Sequence, residues 1–325
     1  MILIVGATGQ LGTAVIRRLQ DSHKEIRAFV RQTSDYQRLQ DDSTELAFGD
    51  LRDKESVDAA CNGVEVVIAT ANTTVPRTGR YSFEADEGQG YLNLIESSDR
   101  NNVRQFIFMS LPVSEVDPQI PELRFKRLNE QRLQESRVPY TILRGSLLMD
   151  MWLALIGSNI PLRGAEAATL HRSFWFARLF MRLVGGMIEN RGVAVINGDG
   201  KARHAFLAID DAAAFLVNTI DHPDAHNAII EIGGPDIMSW DDAVATFAEV
   251  LGRPVRATYS PPGVFRFMLK VLMPFSPAVA NVMGLNWWSG ICDSPYDSLE
   301  AAERFGVTLT SMEQFLRGKL SLPVD

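Results

Sequence analysis

Cysteine is nearly absent: Cys61 and Cys292 are the only two in 325 residues, with no paired spacing and no cluster of metal-ligating residues around them. This excludes a disulfide-stapled scaffold, gives no metal site, and fits a reducing, cytoplasmic setting. A basic excess is missing too. The formal net charge is −8, the wrong sign for a nucleic-acid binder, whose affinity rests on a cationic face. No uninterrupted apolar run is long enough to span a bilayer. The first core strand starts at Met1, so no signal peptide is expected. Low-complexity tracts and internal repeats are absent. With 46% hydrophobic and 22% charged residues, the chain has an ordinary globular composition and length enough for a main domain with a smaller lobe.

What is present is concentrated at the start. Residues 1–5 are an apolar, β-branched run, the pattern of a fully buried parallel strand. Gly6-Ala7-Thr8-Gly9-Gln10-Leu11-Gly12 follows at once, and residues 13–19 read as a helix with Val15, Ile16 and Leu19 on its inner face. A strand breaking into a helix through glycines gathers free N–H groups and a positive dipole end at one point, which accepts a pyrophosphate. Gly6 permits the tight turn, Gly9 lets the backbone approach the phosphates, and Gly12 lets the helix pack close to the sheet. Thr8, Gln10 and Leu11 complete the loop that would face the nucleotide. Glycine triplets also serve plain turns; here the strand before and the helix after supply the context for dinucleotide binding.

Further along, residues 25–30 read as a second strand ending at Arg31. That position lies about 20 residues past the glycine turn, where an acid would hydrogen-bond the ribose 2′-hydroxyl of NAD. The sequence offers Arg31-Gln32-Thr33-Ser34. A guanidinium there suits a 2′-phosphate, so NADP(H) is the expected cofactor; the plainer reading is a solvated surface arginine. Residues 46–48 form a third strand closed by Gly49-Asp50-Leu51. Asp50 either accepts from the adenine amino group, with Leu51 packed on the ring, or caps the helix of residues 54–60. Residues 64–69 are a fourth strand. The small residues after it, Thr70-Ala71-Asn72-Thr73-Thr74, leave room at Ala71 for a cofactor ribose or form a simple turn. A long helix over 83–101, a strand over 105–109, a helix over 122–135 and a strand over 140–143 complete the series. Such alternation predicts an α/β fold with a Rossmann-type doubly wound parallel sheet, whose ligands collect beyond the carboxyl ends of the strands.

From Gly145 the pattern changes. Residues 146–161 are rich in Leu, Met and Trp, broken only by Asp150; residues 171–187 and 264–273 mix aromatic and aliphatic residues with Arg172, Arg178, Arg182, Arg266 and Lys270. Core helices of a small lobe, a lid over an apolar substrate and a membrane-surface face are the three competing readings. Strands over 193–196, 205–209 and 229–232 are expected to rejoin the main sheet, with Asp211 an N-cap and Ser239 capping a helix through Leu251. The expected organisation is a nucleotide-binding domain over 1–145 with returning segments at about 191–232, and a smaller, mostly helical apolar lobe over 146–190 and 233–325 that binds substrate.

The motif Gly6 to Gly12, with Val30-Arg31, Gly49-Asp50-Leu51 and Pro139-Tyr140-Thr141-Ile142-Leu143-Arg144, resembles the NmrA-like group of atypical short-chain dehydrogenase/reductases. Asp210-Asp211, Ile232-Gly233-Gly234-Pro235 and the ending from Phe305 to Phe315 extend the resemblance over nearly the whole chain. That group includes isoflavone reductase-like enzymes, triphenylmethane and quinone reductases, assembly factors and catalytically silent NADP sensors. The resemblance implies a serine at or just after Ser110, with Leu111 a possible occupant, and a tyrosine four residues before a lysine. Lys126 sits where that lysine belongs, but Glu122 stands where the tyrosine would be. Isoflavone reductase-like members manage with the lysine, which makes Lys126 the candidate to donate a proton or hold the nicotinamide ribose; otherwise it is a solvated helix lysine. Tyr81 is a weaker candidate acid, and His204 reads as a strand-edge residue. The resemblance therefore implies an NADPH-dependent reductase acting on a small apolar carbonyl, quinone or conjugated acceptor. The rival is a non-catalytic NADP(H)-binding sensor or assembly factor with a protein partner.

Overall fold

Short apolar runs alternating with amphipathic helices give, in chain order, β1 (Ile2–Val5), α1 (Gln10–Asp21), β2 (Ile26–Val30), β3 (Thr44–Phe48), α2 (Lys54–Cys61), β4 (Val66–Ala69), α3 (Tyr91–Arg100), β5 (Gln105–Ser110), α4 (Pro121–Glu135) and β6 (Tyr140–Gly145). The chain continues through α5 (Met149–Leu155), α6 (Trp175–Val184), α7 (Met187–Arg191), β7 (Val193–Asn197), β8 (Arg203–His204), α8 (Ile209–Asn218) and β9 (Ala228–Ile232). It ends with β10 (Met238–Ser239), α9 (Trp240–Leu251), β11 (Arg256–Ser260), α10 (Pro262–Leu272), α11 (Pro277–Ile291), α12 (Leu299–Arg304) and α13 (Met312–Leu320). The structure, a computed structural model, describes residues 1–39, 43–74, 82–165, 170 and 174–323.

The chain divides into two compact units. The first comprises Met1–Arg144, Ala212–Glu231 and Glu303–Val307; the second comprises Gly145–Asp211, Ile232–Ala302 and Thr308–Asp325. In the first, seven strands lie in the order β3-β2-β1-β4-β5-β6-β9. Ile2 pairs in parallel with Ile26 on one side and Val66 on the other, and Phe106 with Tyr140. The backbone N–H of Asn227 donates to the Tyr140 carbonyl and that of Ser146 to the Ile232 carbonyl, so β9 runs the same way. This is the doubly wound sheet that the alternation predicts. One face holds Leu3, Val5, Val67, Phe106, Phe108 and Ile142 against Val57, Leu94 and Leu133 of the covering helices. Each fully buried side chain of this size contributes about 1.5–3 kcal/mol.

The helix expected over 83–101 is not uniform. It opens with a π-helical turn, Glu84–Gly90, before α3 begins. Two glycines permit close approach there: a Cβ on Gly90 would lie 2.9 Å from the Leu51 Cβ, and one on Gly88 would lie 3.0 Å from the Phe125 ring. Within this wide turn Glu87 is buried.

In the second unit, β7 does not join the main sheet as expected. It pairs in parallel with β11, Val193 opposite Arg256. No strand forms over 205–209: β8, antiparallel to β10, ends before it at His204, and Leu207 makes only an isolated bridge with Leu148 before α8 begins at Ile209. Asp211 is not an N-cap; its carboxylate accepts from the Thr310 N–H at 2.7 Å and the Thr310 hydroxyl at 3.0 Å. Ser239 does cap α9, in a reciprocal capping box with Asp242. Asp150, the lone charge in its apolar run, pairs with Lys319 at 3.1 Å while also accepting from the Ile209 N–H, which ties α13 to α5.

His204 is fully buried. Its Nδ1 meets the Ser294 hydroxyl at 2.7 Å and its Nε2 the Ser289 carbonyl at 3.0 Å, with the rings of Phe206, Trp240 and Trp288 around it. Burial pulls its pKa down to about 4. The imidazole should therefore stay neutral in the fold at pH 5. As pH falls through the ordinary value of 6.5, the unfolded chain takes up a proton that the folded one refuses. Stability then declines until about pH 4, by roughly 3 kcal/mol. Nitrogen-15 NMR of the imidazole checks this, and a resonance titrating near 6.5 would contradict it.

Candidate functional site

All of the nucleotide-binding candidates except the returning segments sit at the carboxyl ends of β1 to β5. The glycine turn is shaped by its own backbone. Gly6 has φ of +94°, a conformation that strains any L side chain, and a Cβ there would lie 2.5 Å from the Ala71 nitrogen. Gly12 packs its Cα against the turn, where an added Cβ would lie 2.2 Å from the Gly6 carbonyl oxygen. The helix start is thereby pressed onto the strand end. Gly9 is the N-cap of α1 and makes no side-chain cap hydrogen bond. Thr8 lies in the turn and Gln10 and Leu11 open α1, all three half-buried. The first-turn N–H groups of α1 form an anion-binding end, as such helix starts do. A cradle whose close packing admits no Cβ and whose helix end has no side-chain cap fits a dinucleotide pyrophosphate.

Arg31 leaves the end of β2 beside two carboxylates, Asp50 and Asp86, and its charge favours the ionised form of both. Asp50 is gripped by Arg52, from Nε at 2.8 Å and Nη2 at 2.7 Å. That grip holds its pKa below the usual carboxylate range. Asp50 is not the helix cap: Asp53 takes that place, accepting from the Glu55 N–H at 3.2 Å. Asp86, on the π-helical turn, lies 3.6 Å from Arg52. Burial lifts its pKa to about 6, and its Oδ2 has no hydrogen-bond partner among the described residues. Leu51 packs on the core beside Gly90, and Asn93 donates to its carbonyl at 2.9 Å.

The loop after β4 ties this end to α4. The Tyr91 hydroxyl donates to the Ala71 carbonyl at 2.6 Å. Asn72 donates to Glu122 at 2.6 Å, and the Thr73 N–H to Glu87 at 2.6 Å. Lys126 is 2% exposed, so the solvated-lysine reading does not hold. Its ammonium donates to the Met109 carbonyl at 3.1 Å and lies 4.7 Å from the centre of the Phe108 ring. Burial raises the pKa of Glu87, which Lys126 counters and Glu122 reinforces. Ser110 donates to Glu130 at 2.5 Å, and Glu130 is held by Arg144 at 2.6 Å and Arg127 at 2.9 Å. That serine is committed to a buried ion network. Tyr81 lies outside the described residues.

The structure thus gathers Gly6, Gly12 and Ala71 around one turn, Arg31 and Asp50 around a second point, and Lys126 and Glu122 around the buried Glu87. Sequence reasoning missed Arg52, Asp86 and Glu87. The only available signal for the two acids was the Gly88 and Gly90 pair, which marks close approach. Among the described residues no cluster could hold a metal ion, and no helix is long and apolar enough to cross a membrane.

A seven-stranded doubly wound sheet with a glycine turn after its first strand defines a Rossmann-type α/β protein. Its helical remainder and glycine spacing narrow the class further: the chain belongs to the NmrA-like family, whose model matches residues 1–284. Photosystem II assembly factor Ycf39 of Cyanophora paradoxa is 33% identical over 156 residues, 48% of this chain and 47% of that protein, so the chain matches about half of that relative's length. NAD(P)H azoreductase of Xenophilus azovorans is 26% identical over 256 residues, 79% of this chain and 76% of that protein. Two solved structures share the fold. They are the NADPH-dependent quinone oxidoreductase QOR2 of Escherichia coli complexed with NADPH (TM-score 0.72, 19% identity, 99% of this chain and 100% of that one) and the Citrobacter sp. triphenylmethane reductase complexed with NADP(H) (0.71, 18%, 98% and 100%).

Proposed function

We propose that this protein binds NADP(H) and acts as an NADPH-dependent reductase, moving hydride to an apolar carbonyl, quinone or conjugated acceptor. The glycine turn carries the cofactor reading, because Gly12 against the Gly6 carbonyl is a geometry that a plain surface turn does not need. Bound nicotinamide supplies the hydride. The chain's own part is to bind, orient and shield. Gly6, Thr8, Gly9, Gln10, Leu11 and Gly12 take the pyrophosphate; Arg31 takes the 2′-phosphate; Asp50 and Leu51 flank the adenine; Ala71 leaves room for a ribose. Lys126 positions the nicotinamide ribose or passes a proton. The names of the azoreductase, quinone oxidoreductase and triphenylmethane reductase relatives support a reductase, and free cysteines with Cys61 buried support a reducing, cytoplasmic setting. The test is a screen of quinones, enones, azo dyes and aromatic acceptors for NADPH oxidation at the nicotinamide absorbance.

A second reading has specific support. Glu122 replaces the tyrosine and is already bound by Asn72, Lys126 points at a backbone carbonyl, and Ycf39 is named an assembly factor. A protein that holds NADP(H) without turning it over, and binds a protein partner, would show tight NADPH binding with no oxidation by any acceptor.

Cofactor choice gives a separate prediction. A charge-assisted contact between Arg31 and the 2′-phosphate contributes on the order of 1.5–3 kcal/mol. Arg31→Ala should therefore weaken NADPH binding by roughly tenfold to a hundredfold and leave NADH binding nearly unchanged. Calorimetric titration with both nucleotides checks it. Equal losses would show that the arginine serves the fold through Asp50 and Asp86.

A further inference from the structure

We propose that α6 and α10 dock the protein, through their exposed apolar faces, onto the surface of an anionic lipid bilayer. Each helix has an inner side, Met181 on α6 and the buried Leu269 on α10, but leaves a long apolar face outside the core. No residue of α6 is buried, and Trp175, Leu179 and Leu183, spaced by four, are 61%, 46% and 67% exposed. On α10 and the turn after it, Val264, Phe267, Val271 and Phe275 recur at three- and four-residue steps, with Phe267 at 67% and Phe275 at 82% exposure. Apolar residues at such spacing form one stripe along a helix. Scattered exposed leucines need no explanation, but two aromatic stripes in one unit do.

Charge identifies the occupant. No Asp or Glu occurs between Glu166 and Glu189, or between Glu249 and Asp293, in a chain whose formal net charge is −8. The exposed charges beside the stripes are all cations: Arg178 and Arg182 on α6, Arg266 and Lys270 on α10. Trp, Phe and Leu on one face with Lys and Arg alongside is the composition of a helix that lies in the interfacial plane, its rings among acyl chains and its cations at phosphates. A second copy of the same chain fits less well, because it would oppose like charges. Neither helix is long enough to span a bilayer, so the contact is peripheral. The proposal does not depend on the reductase reading.

The experiment is flotation of the full chain with vesicles of phosphatidylcholine alone and of an equal mixture of phosphatidylcholine and phosphatidylglycerol. The wild type should float with the mixed vesicles and stay behind with phosphatidylcholine alone. Salt at about 1 M, where the Debye length is about 3 Å, should release it. Phe267→Ser/Phe275→Ser should weaken binding at least roughly tenfold by removing buried rings, and Arg178→Gln/Arg182→Gln/Lys270→Gln should do the same by removing charge. The emission of wild type minus that of Trp175→Phe should shift to the blue on the mixed vesicles. Circular dichroism and thermal melts confirm that each variant is folded. Absence of flotation, equal binding to both vesicle types, or binding kept by both multiple variants would overturn the proposal. So would a dimer in sedimentation that Phe267→Ser/Phe275→Ser dissolves, since the face would then belong to a second copy.

Discussion

Gly12→Val is expected to lose NADPH binding by more than a hundredfold and to lower stability at the same time. The obstacle is backbone, not a side chain that can rotate away: an added Cβ meets the Gly6 oxygen at 2.2 Å, the Gly6 carbon at 2.8 Å and the Ala7 Cα at 3.0 Å. To relieve those contacts α1 must retreat from the end of β1, carrying its first-turn N–H groups with it. Overpacking of this kind costs typically about 1–3 kcal/mol, and the retreat misaligns every donor aimed at the pyrophosphate. Gly9 supplies the control. Its φ of −82° and ψ of 164° are open to any residue, so Gly9→Ala should fold like the wild type. Any loss of affinity in Gly9→Ala then reports how near the phosphates come. Calorimetric titration and thermal melts on both variants give the comparison; wild-type affinity in Gly12→Val would remove the turn from the binding site.

Lys126→Met should be the most damaging single change in α4. It keeps the length of the side chain and deletes the ammonium, leaving Glu87 buried without the charge that offsets it. Taking away the cation that offsets a buried carboxylate typically costs up to about 3–5 kcal/mol. The loss should depend on pH in a set direction. Burial already raises the Glu87 pKa above its ordinary value, and the missing ammonium would raise it further. A carboxyl whose folded pKa is raised is favoured protonated in the fold, so its contribution is lost as pH rises through that pKa. The variant should therefore lose more stability relative to the wild type at pH 8 than at pH 5, as urea unfolding at both values would show. If the protein is a reductase, turnover should also fall a hundredfold or more with NADPH affinity largely kept, because an oriented proton donor contributes about that much. A pH-independent loss would mean that Lys126 acts by packing on Phe108 alone; unchanged turnover would remove it from the chemistry.

The main sheet was legible because buried parallel strands need continuous apolar runs and their turns need glycine or small polar residues; 1–5, 64–69 and 105–109 carry both marks. Side-chain commitments were harder to read. Asp50 reads as a cap or an adenine partner in one dimension, and only the fold shows Arg52 gripping it while Asp53 caps α2. The family resemblance singles out Lys126, but its burial was not legible, because α4 is rich in charge and the Phe108 and Tyr91 rings beside it arrive from other elements. The π-helical turn shifts the frame by one residue, which periodicity cannot resolve, and it buries Glu87. Around α6 and α10 the amphipathic pattern was visible, but periodicity marks a face and says nothing of what covers it. The expected return of 193–196 to the main sheet failed for a related reason: a half-buried strand fits any available edge, and β11 provides one.

The strand order has a consequence for synthesis. β1 to β6 are encoded without interruption, but the neighbour that completes the sheet on that side, β9, begins only at Ala228. At about 5–20 residues per second, the ribosome needs several seconds to carry the chain from Gly145 to Ala228. Throughout that interval the open edge of β6 presents unpaired backbone groups to its surroundings. The nascent chain is therefore most vulnerable to edge-to-edge association midway through translation, and slow codons placed between β6 and β9 would prolong that exposure.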